Sequence, residues 1–469
     1  MESKMKLIRN LLSLTLAFCL FTAFSINADE QDNSRFDEEL NERDFDALRD
    51  YLRSKRAVDI EESTSTLSIS GDVRTEWRHM NETCNHMRRR GHDIKDLSGR
   101  PVSRNDFDIE FNLYFDYVTE KTWATAQVRY DNSAGVDDNG HPCGPVNKYK
   151  KGCCEEQARH CIGDPEGYHG SGNCTDLCLK KAFMGYELYA DDDSRFFFEL
   201  GRRGNLYNAF ESNIQFLSRF DGLLLKYERS WECIADCYLT TAGFVVDERV
   251  NHFAWAAEIG FLDIGDNGID FKYSIINWEK HGTNRCGARN PAGFRFINSQ
   301  FTSIYHLKPE WLGVKAKIYG AFLVNHAARK IHTVTTEEPY IDENGNPKIK
   351  YIDSHYKFKN LGWYVGVLFG EVRKEGDWAI EIQYQYVQAQ AMPDDDAAGI
   401  CRGNNLDESF TTCSRRGNTN YKGWRFEGLY AFTDNLTLDT IFEFSKAEDN
   451  GIGGKHTYSK FEMEAIYAF

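Results

Sequence analysis

From Thr66 onward the chain alternates between apolar and polar residues with a period of two. Leu67, Ile69, Val73 and Trp77 take one set of positions, and Ser68, Ser70, Asp72, Arg74 and Glu76 take the other. The pattern is clearest where Phe107, Ile109, Phe111, Leu113, Phe115 and Tyr117 interleave with Asp108, Glu110, Asn112 and Asp116. Successive side chains of an extended strand point to opposite faces, so such segments predict strands that are apolar on one side only. Comparable segments lie near 122–131, 182–190, 195–203, 219–229, 236–248, 252–263, 268–279, 294–307, 312–326, 355–372, 376–389, 420–432, 436–446 and 456–469, giving sixteen in all. In the last, Phe461, Met463, Ala465, Tyr467 and Phe469 share a face opposite Glu462 and Glu464, and the chain stops on an aromatic residue.

The connections say more than the strands. Those after even-numbered segments are short: 119–121, 191–194, 230–235, 263–267, 308–311, 373–375 and 433–435. Those after odd-numbered segments are mostly long, including 80–104, 132–181, 204–218, 327–354 and 390–419, with 249–251 the exception. Alternation of tight turns with long loops separates an outer-membrane barrel from a soluble sandwich. The expected fold is therefore all-β: a transmembrane antiparallel β-barrel of about 16 strands over 64–469, with short periplasmic turns and long outer loops. Trp77, Tyr130, Trp278 and Trp311 near strand ends suit the interfacial aromatic girdles of such a barrel.

The period differs before residue 64. Lys4, Lys6 and Arg9 precede an apolar run from Leu11 to Phe24, and Ala28 precedes Asp29. A charged start, a short apolar segment and a small residue predict a secretory signal peptide over 1–28. Phe36, Leu40, Phe45, Leu48, Tyr51 and Leu52 then recur at helical spacing, predicting a short helical periplasmic or plug segment within 29–63 that ends near Arg56.

Composition narrows the partners. The formal charge is −16, and loss of residues 1–28 removes three bases and one acid to leave −18. That excludes a nucleic-acid partner, since phosphate binding needs a basic surface. Twelve cysteines follow the signal segment: Cys84, Cys143, Cys153, Cys154, Cys161, Cys174, Cys178, Cys233, Cys237, Cys286, Cys401 and Cys413. An even number in an exported chain points to disulfides. Ten fall in expected outer loops, whereas Cys233 and Cys237 flank a periplasmic turn and are candidates to close it.

Four stretches resemble a porin family of Gram-negative bacteria: Phe196 to Arg203, Phe220 to Tyr227, Gly376 through Tyr386, and Asn420 through Ser445. The likeness covers about half of the chain after the signal segment. The insertions at 132–181 and 390–419 depart from it, and their cysteines are similar to those of porins from chlamydia-like bacteria. The resemblance implies passive diffusion of small hydrophilic solutes or ions, no cofactor and no catalysis. It also implies outer-membrane lipid around the barrel, barrel-assembly machinery engaging the last strand through Tyr467 and Phe469, and a homo-oligomer or disulfide-linked neighbours.

If the apolar faces meet lipid, the opposite faces line a lumen. That places Arg74, Glu76, Arg78, Asp108, Glu110, Asp116, Arg129, Lys226, Lys315, Lys317, Glu381, Arg425, Glu427, Asp439 and Glu443 inside, where water avoids the cost of charges in lipid. The loop 204–218, with Asn205, Tyr207, Glu211 and the neighbouring Arg219, is the candidate constriction. Cys153, Cys154, His160, Cys161, His169, Cys174 and Cys178 form a competing zinc cluster, disfavoured by the absence of a CxxC pair. The run Asp394 to Asp396 lacks the ligand spacing of a calcium loop, and no nucleophile elbow is present. The alternative function is a barrel-anchored surface adhesin or cross-linked structural envelope protein.

Overall fold

The alternating segments pair into one antiparallel sheet that closes on itself. The computed structural model describes residues 58–62, 65–84, 87–88, 91–95, 101–102, 104–133, 177–203, 209–215, 220–232, 234–248, 251–280, 295–308, 313–328, 333–341, 347–355, 358–393, 397–400, 419–452 and 454–469. Sixteen strands make the barrel. They are β1 (Ser65–Cys84), β2 (Asn105–Thr119), β3 (Thr122–Ser133), β4 (Cys178–Ala190), β5 (Ser194–Arg203), β6 (Phe220–Trp231), β7 (Ala235–Asp247) and β8 (His252–Leu262). They continue as β9 (Ile269–Lys280), β10 (Ile297–Leu307), β11 (Ala316–Asn325), β12 (Leu361–Glu371), β13 (Trp378–Val387), β14 (Tyr421–Ala431), β15 (Leu436–Ala447) and β16 (His456–Ala468). Each pairs with its chain neighbour, and β1 closes the ring by pairing with β16 from Asp72↔Ala468 to Cys84↔His456. Closure leaves no unpaired edge.

The faces sort as the period of two predicts. Along β8, His252, Ala254, Ala256, Glu258, Gly260 and Leu262 are buried, while Phe253 and Ile259 between them are exposed. The exposed set on other strands is apolar and aromatic, including Phe107, Ile109, Leu223, Phe301, Phe322, Trp424, Phe442 and Met463. The buried polar set includes Asp72, Asn112, Lys272, Gln300, Gln383 and Glu443. This is the reverse of a soluble protein: apolar outside, polar inside.

The tight connections join strands at the end that holds Ser65 and Phe469, and three of them rest on particular side chains. Asp191 Oδ1 accepts from the Ser194 N–H (2.6 Å) and the Ser194 hydroxyl (2.8 Å), folding the β4–β5 turn. In the β8–β9 turn Asp263 Oδ1 accepts from the Gly268 N–H at 2.8 Å, and both residues adopt positive φ. Thr433 Oγ1 accepts from the N–H groups of Asn435 (3.1 Å) and Leu436 (3.0 Å) to close the β14–β15 turn.

The structure also departs from the sequence reading. Val58–Glu62 is a strand that runs antiparallel to Ser65–Ile69 of β1, within the segment expected to follow a helix. The connection 327–354 holds a hairpin of Thr333–Ile341 and Pro347–His355 that was expected to be a plain loop. Cys84 and Cys178 belong to β1 and β4 rather than to loops, because both ladders run past the apolar belt. Among the described residues Cys178 and Cys237 have no disulfide partner. Cys237 sits two rungs inside the β6–β7 ladder, opposite Arg229 and in phase with outward Leu239, and its candidate partner Cys233 falls outside the described residues. The signal segment 1–28, the helical stretch up to Arg56 and Cys143, Cys153, Cys154, Cys161, Cys174, Cys233, Cys286, Cys401 and Cys413 lie outside the described residues.

Candidate functional site

The inner face carries two kinds of polar structure: an ionic ladder on the wall and chain segments laid against it. The ladder spans β3, β2, β1, β16, β15 and β14. Arg74 pairs with Asp72 at 2.6 Å and reaches Glu464 at 3.9 Å. Arg78 contacts Glu76, Asp108 (3.2 Å) and Glu462 (3.3 Å). Arg425 binds Glu443 (2.9 Å) and Glu427 (2.5 Å), and Lys460 bridges Glu462 (2.7 Å) and Glu443 (3.3 Å). Arg129 meets Glu110 on the adjoining strands.

Register explains why these cations are there. Asp439 faces Glu464, Glu464 faces Glu76, and Glu76 faces Asp108, a row of carboxylates across four strands. Like charges directly opposite one another repel. Arg74 and Arg78 flank the row two residues either side of Glu76 and offset it. Glu381 likewise faces Glu427, beside Arg425.

The remaining predicted residues are dispersed. Lys226 pairs with Glu228 at 2.5 Å, and Asp116 accepts from the Thr125 hydroxyl at 2.7 Å. Lys317 lies 5.8 Å from the Tyr319 ring, and the Tyr319 hydroxyl donates to Glu381. Lys315 sits in the β10–β11 turn with Glu371 at 2.9 Å, at the mouth rather than inside.

Residues 209–215, between β5 and β6, lie against the inner wall. Ala209, Phe210, Ile214 and Gln215 are all buried. Ser212 shapes the segment locally, its hydroxyl accepting from the N–H groups of Ile214 (3.3 Å) and Gln215 (3.1 Å). Glu211 anchors it. Its N–H donates to Glu258 Oε2 (2.8 Å), its carbonyl accepts from Gln300 Nε2 (2.5 Å), and its carboxylate takes Lys272 Nζ (2.5 Å). Glu258 is further held by the hydroxyls of Tyr238 (2.6 Å) and Ser274. Burial raises the Glu211 carboxyl from 4.5 to about 7, Lys272 opposing the shift and Glu258 adding to it. Asn205, Tyr207 and Arg219 of the same connection lie outside the described residues.

A second stretch, 388–393 with 397–400, folds inward beside the first. Ala389, Gln390, Ala391 and Met392 are buried. Gln215 bridges to Ala397, and the Ala398 N–H donates to the Ile214 carbonyl at 2.9 Å. Asn298 Nδ2 ties both to the wall, donating to Gln215 Oε1 (2.7 Å) and the Ala391 carbonyl (3.0 Å). Asp394 to Asp396 are outside the described residues, and no group of metal-binding side chains occurs among those described.

Sequence reasoning therefore reached the wall, including Glu462 and Glu464 on the polar face of the last strand, but missed Glu258, Lys272 and Lys460, all of which keep the alternating period of their strands. It missed 388–393 and 397–400 altogether, since no periodicity marks that stretch.

The strand count, closure and inside-out polarity define a porin-like barrel. No family model and no curated protein sequence matches the chain. Among solved structures it is similar to Salmonella typhi OmpF in complex with daunomycin: 13% identity over 88% of this chain and 100% of that one, TM-score 0.47. Pseudomonas putida OprB at high pH is similar at 7% identity over 86% and 94% of the two chains, TM-score 0.46. A mutant Rh. blastica porin shares 8% identity over 86% of this chain and 100% of that one, TM-score 0.40.

Proposed function

We propose that this chain is an outer-membrane porin through which small hydrophilic solutes and ions diffuse passively. The observation that carries the reading is the closed sixteen-strand ring with an apolar exterior and a charged interior. Barrels of about that size enclose water rather than a side-chain core. Strands of ten or more residues, rising about 3.3 Å each and tilted, cross an apolar layer of about 25 Å. No covalent chemistry is assigned to the interior; its groups act as fixed charges along a water path.

The segments 209–215, 388–393 and 397–400 narrow that path from one side, with Glu211 anchoring the first of them to the wall. The carboxylate row of Asp439, Glu464, Glu76 and Asp108 biases the lumen toward cations. The lining residues read from the sequence serve this path, with Lys315 at its periplasmic mouth.

The test is single-channel conductance of the purified mature protein in a planar bilayer. Stable ohmic steps with a cation-selective reversal potential in a salt gradient are expected. Silence from folded, heat-modifiable protein would overturn the porin reading and favour a barrel that anchors its long outer loops for adhesion or cross-linking.

A further inference from the structure

The outward face is apolar along most of its height, but one place near the long-loop end is not. There Tyr386 of β13, Lys422 of β14, Lys446 of β15, Thr457 of β16 and Thr83 of β1 are successive register partners across four ladders. Lys422 is in phase with outward Trp424 and Phe426, and Lys446 with outward Phe442 and Phe444. Both lysines therefore leave the outer wall, one outward position beyond the aromatic belt. The row nearer the belt is Tyr384, Trp424, Phe444, Ser459 and Asn81. A groove of about 540 Å³ runs along the two rows, lined by Lys422, Lys446, Trp424, Phe444, Thr83 and Thr457 among others.

Two ammonium groups facing each other across a ladder repel, and that arrangement destabilises a sheet unless an anion lies between them. No ion pair or hydrogen bond engages either lysine among the described residues. The nearest acid in sequence, Glu448, is already taken: Lys359 holds it at 3.0 Å and the Tyr386 hydroxyl donates to it at 2.6 Å. Beside the lysines, the Thr83 and Thr457 hydroxyls share a hydrogen bond of 2.5 Å, which leaves one O–H of the pair as a further donor. Below them, Tyr384 and Trp424 pack edge to face with their centroids 4.9 Å apart, an aromatic surface for apolar chains.

Opposed cations, a hydroxyl donor and an aromatic surface stacked in that order match one ligand chemistry. We propose that this groove binds the phosphate-bearing headgroup of an outer-leaflet lipid. The phosphate lies between Lys422 and Lys446, neighbouring headgroup hydroxyls meet Thr83 and Thr457, and the acyl chains descend over Trp424, Phe444 and the belt beneath. The inference rests on the membrane reading above, because the acyl chains need a bilayer to enter.

The test is native mass spectrometry of the full folded protein in detergent. The protein is incubated with a phosphorylated glycolipid and, separately, with the same glycolipid after enzymatic dephosphorylation. The wild type is expected to retain the phosphorylated form at least tenfold better, the scale set by two cations beside an anionic lipid. Retention should fall to the dephosphorylated level in K422Q/K446Q, survive in K422R/K446R, and be unchanged in K121Q/K374Q, which removes two exposed lysines from the short-turn end. Equal retention by wild type and K422Q/K446Q, equal retention of both glycolipid forms, or displacement of the lipid by inorganic phosphate alone would overturn the proposal. Conductance is recorded on the same preparations. A folded but silent barrel that still discriminates between the two glycolipids defeats the porin reading and leaves the groove standing.

Discussion

Glu211 is the residue on which most of the inner-face chemistry converges, because it holds the inserted segment to three strands through backbone and side chain alike. Its carboxyl is raised to about 7 by burial, against 4.5 for an exposed glutamate. The docked segment therefore binds more protons than the undocked one between those values, and docking is favoured on the acid side. The Glu211 contribution is fully present below about 4.5 and is lost as pH rises through about 7. Channel current is thus expected to be smaller and quieter at pH 5 than at pH 8, with its midpoint near the raised value. Glu211→Gln should flatten that profile. Lys272, 1% exposed at its side chain, is the cation that tolerates the charged form. Breaking a buried pair on one side costs about 3–5 kcal/mol, so Lys272→Met should give noisy current at neutral pH. The double variant Glu211→Gln/Lys272→Met should be quiet again, since it leaves no carboxylate without its cation at that position.

At the scale of the strand, closure depends on a close approach at Gly71. Gly71 N–H donates to the Phe469 carbonyl at 2.9 Å, and the Phe469 N–H donates back to Gly71 at 3.0 Å. A Cβ on Gly71 would lie 2.6 Å from the Phe469 ring and 2.8 Å from the Asn112 carbonyl. The ring can swing aside, but the carbonyl belongs to the β2 backbone and cannot. Gly71→Val is therefore expected to lower the fraction of heat-modifiable barrel strongly. Phe469→Ala, which removes the stack on Phe111 at 6.3 Å but leaves the ladder intact, should lower it less. The strands themselves were legible because their two faces meet different surroundings along the whole of each segment. Phe107 through Tyr117 is the clearest case. The hairpin at 333–355 was not legible, since it pairs only with itself and Pro339 and Pro347 interrupt its pattern. Met392 is fully buried without any local sign, because it lies beside Gly362 of β12 in a cluster that includes Ile214, both distant in sequence.

For the whole molecule, width and sign of the path are set by different parts of the chain, so they separate under mutation. The segment 209–215 reduces the open cross-section and contributes a single charge, Glu211, whereas the carboxylate row sits on β15, β16, β1 and β2 and would remain if that segment were removed. Replacing 209–215 by a short Gly-Ser linker should raise single-channel conductance severalfold with little change in reversal potential. The double variant Glu76→Gln/Glu464→Gln should do the opposite. It neutralises two of the four opposed carboxylates while Arg74 and Arg78 stay charged, so cation preference should fall or invert at nearly constant conductance. High salt should shrink the second effect more than the first, because a Debye length of about 10 Å at 0.1 M contracts to about 3 Å at 1 M. Linker variants that change reversal potential as much as conductance would place the selective charge on the segment, and Glu211 rather than the wall would then set the ion preference.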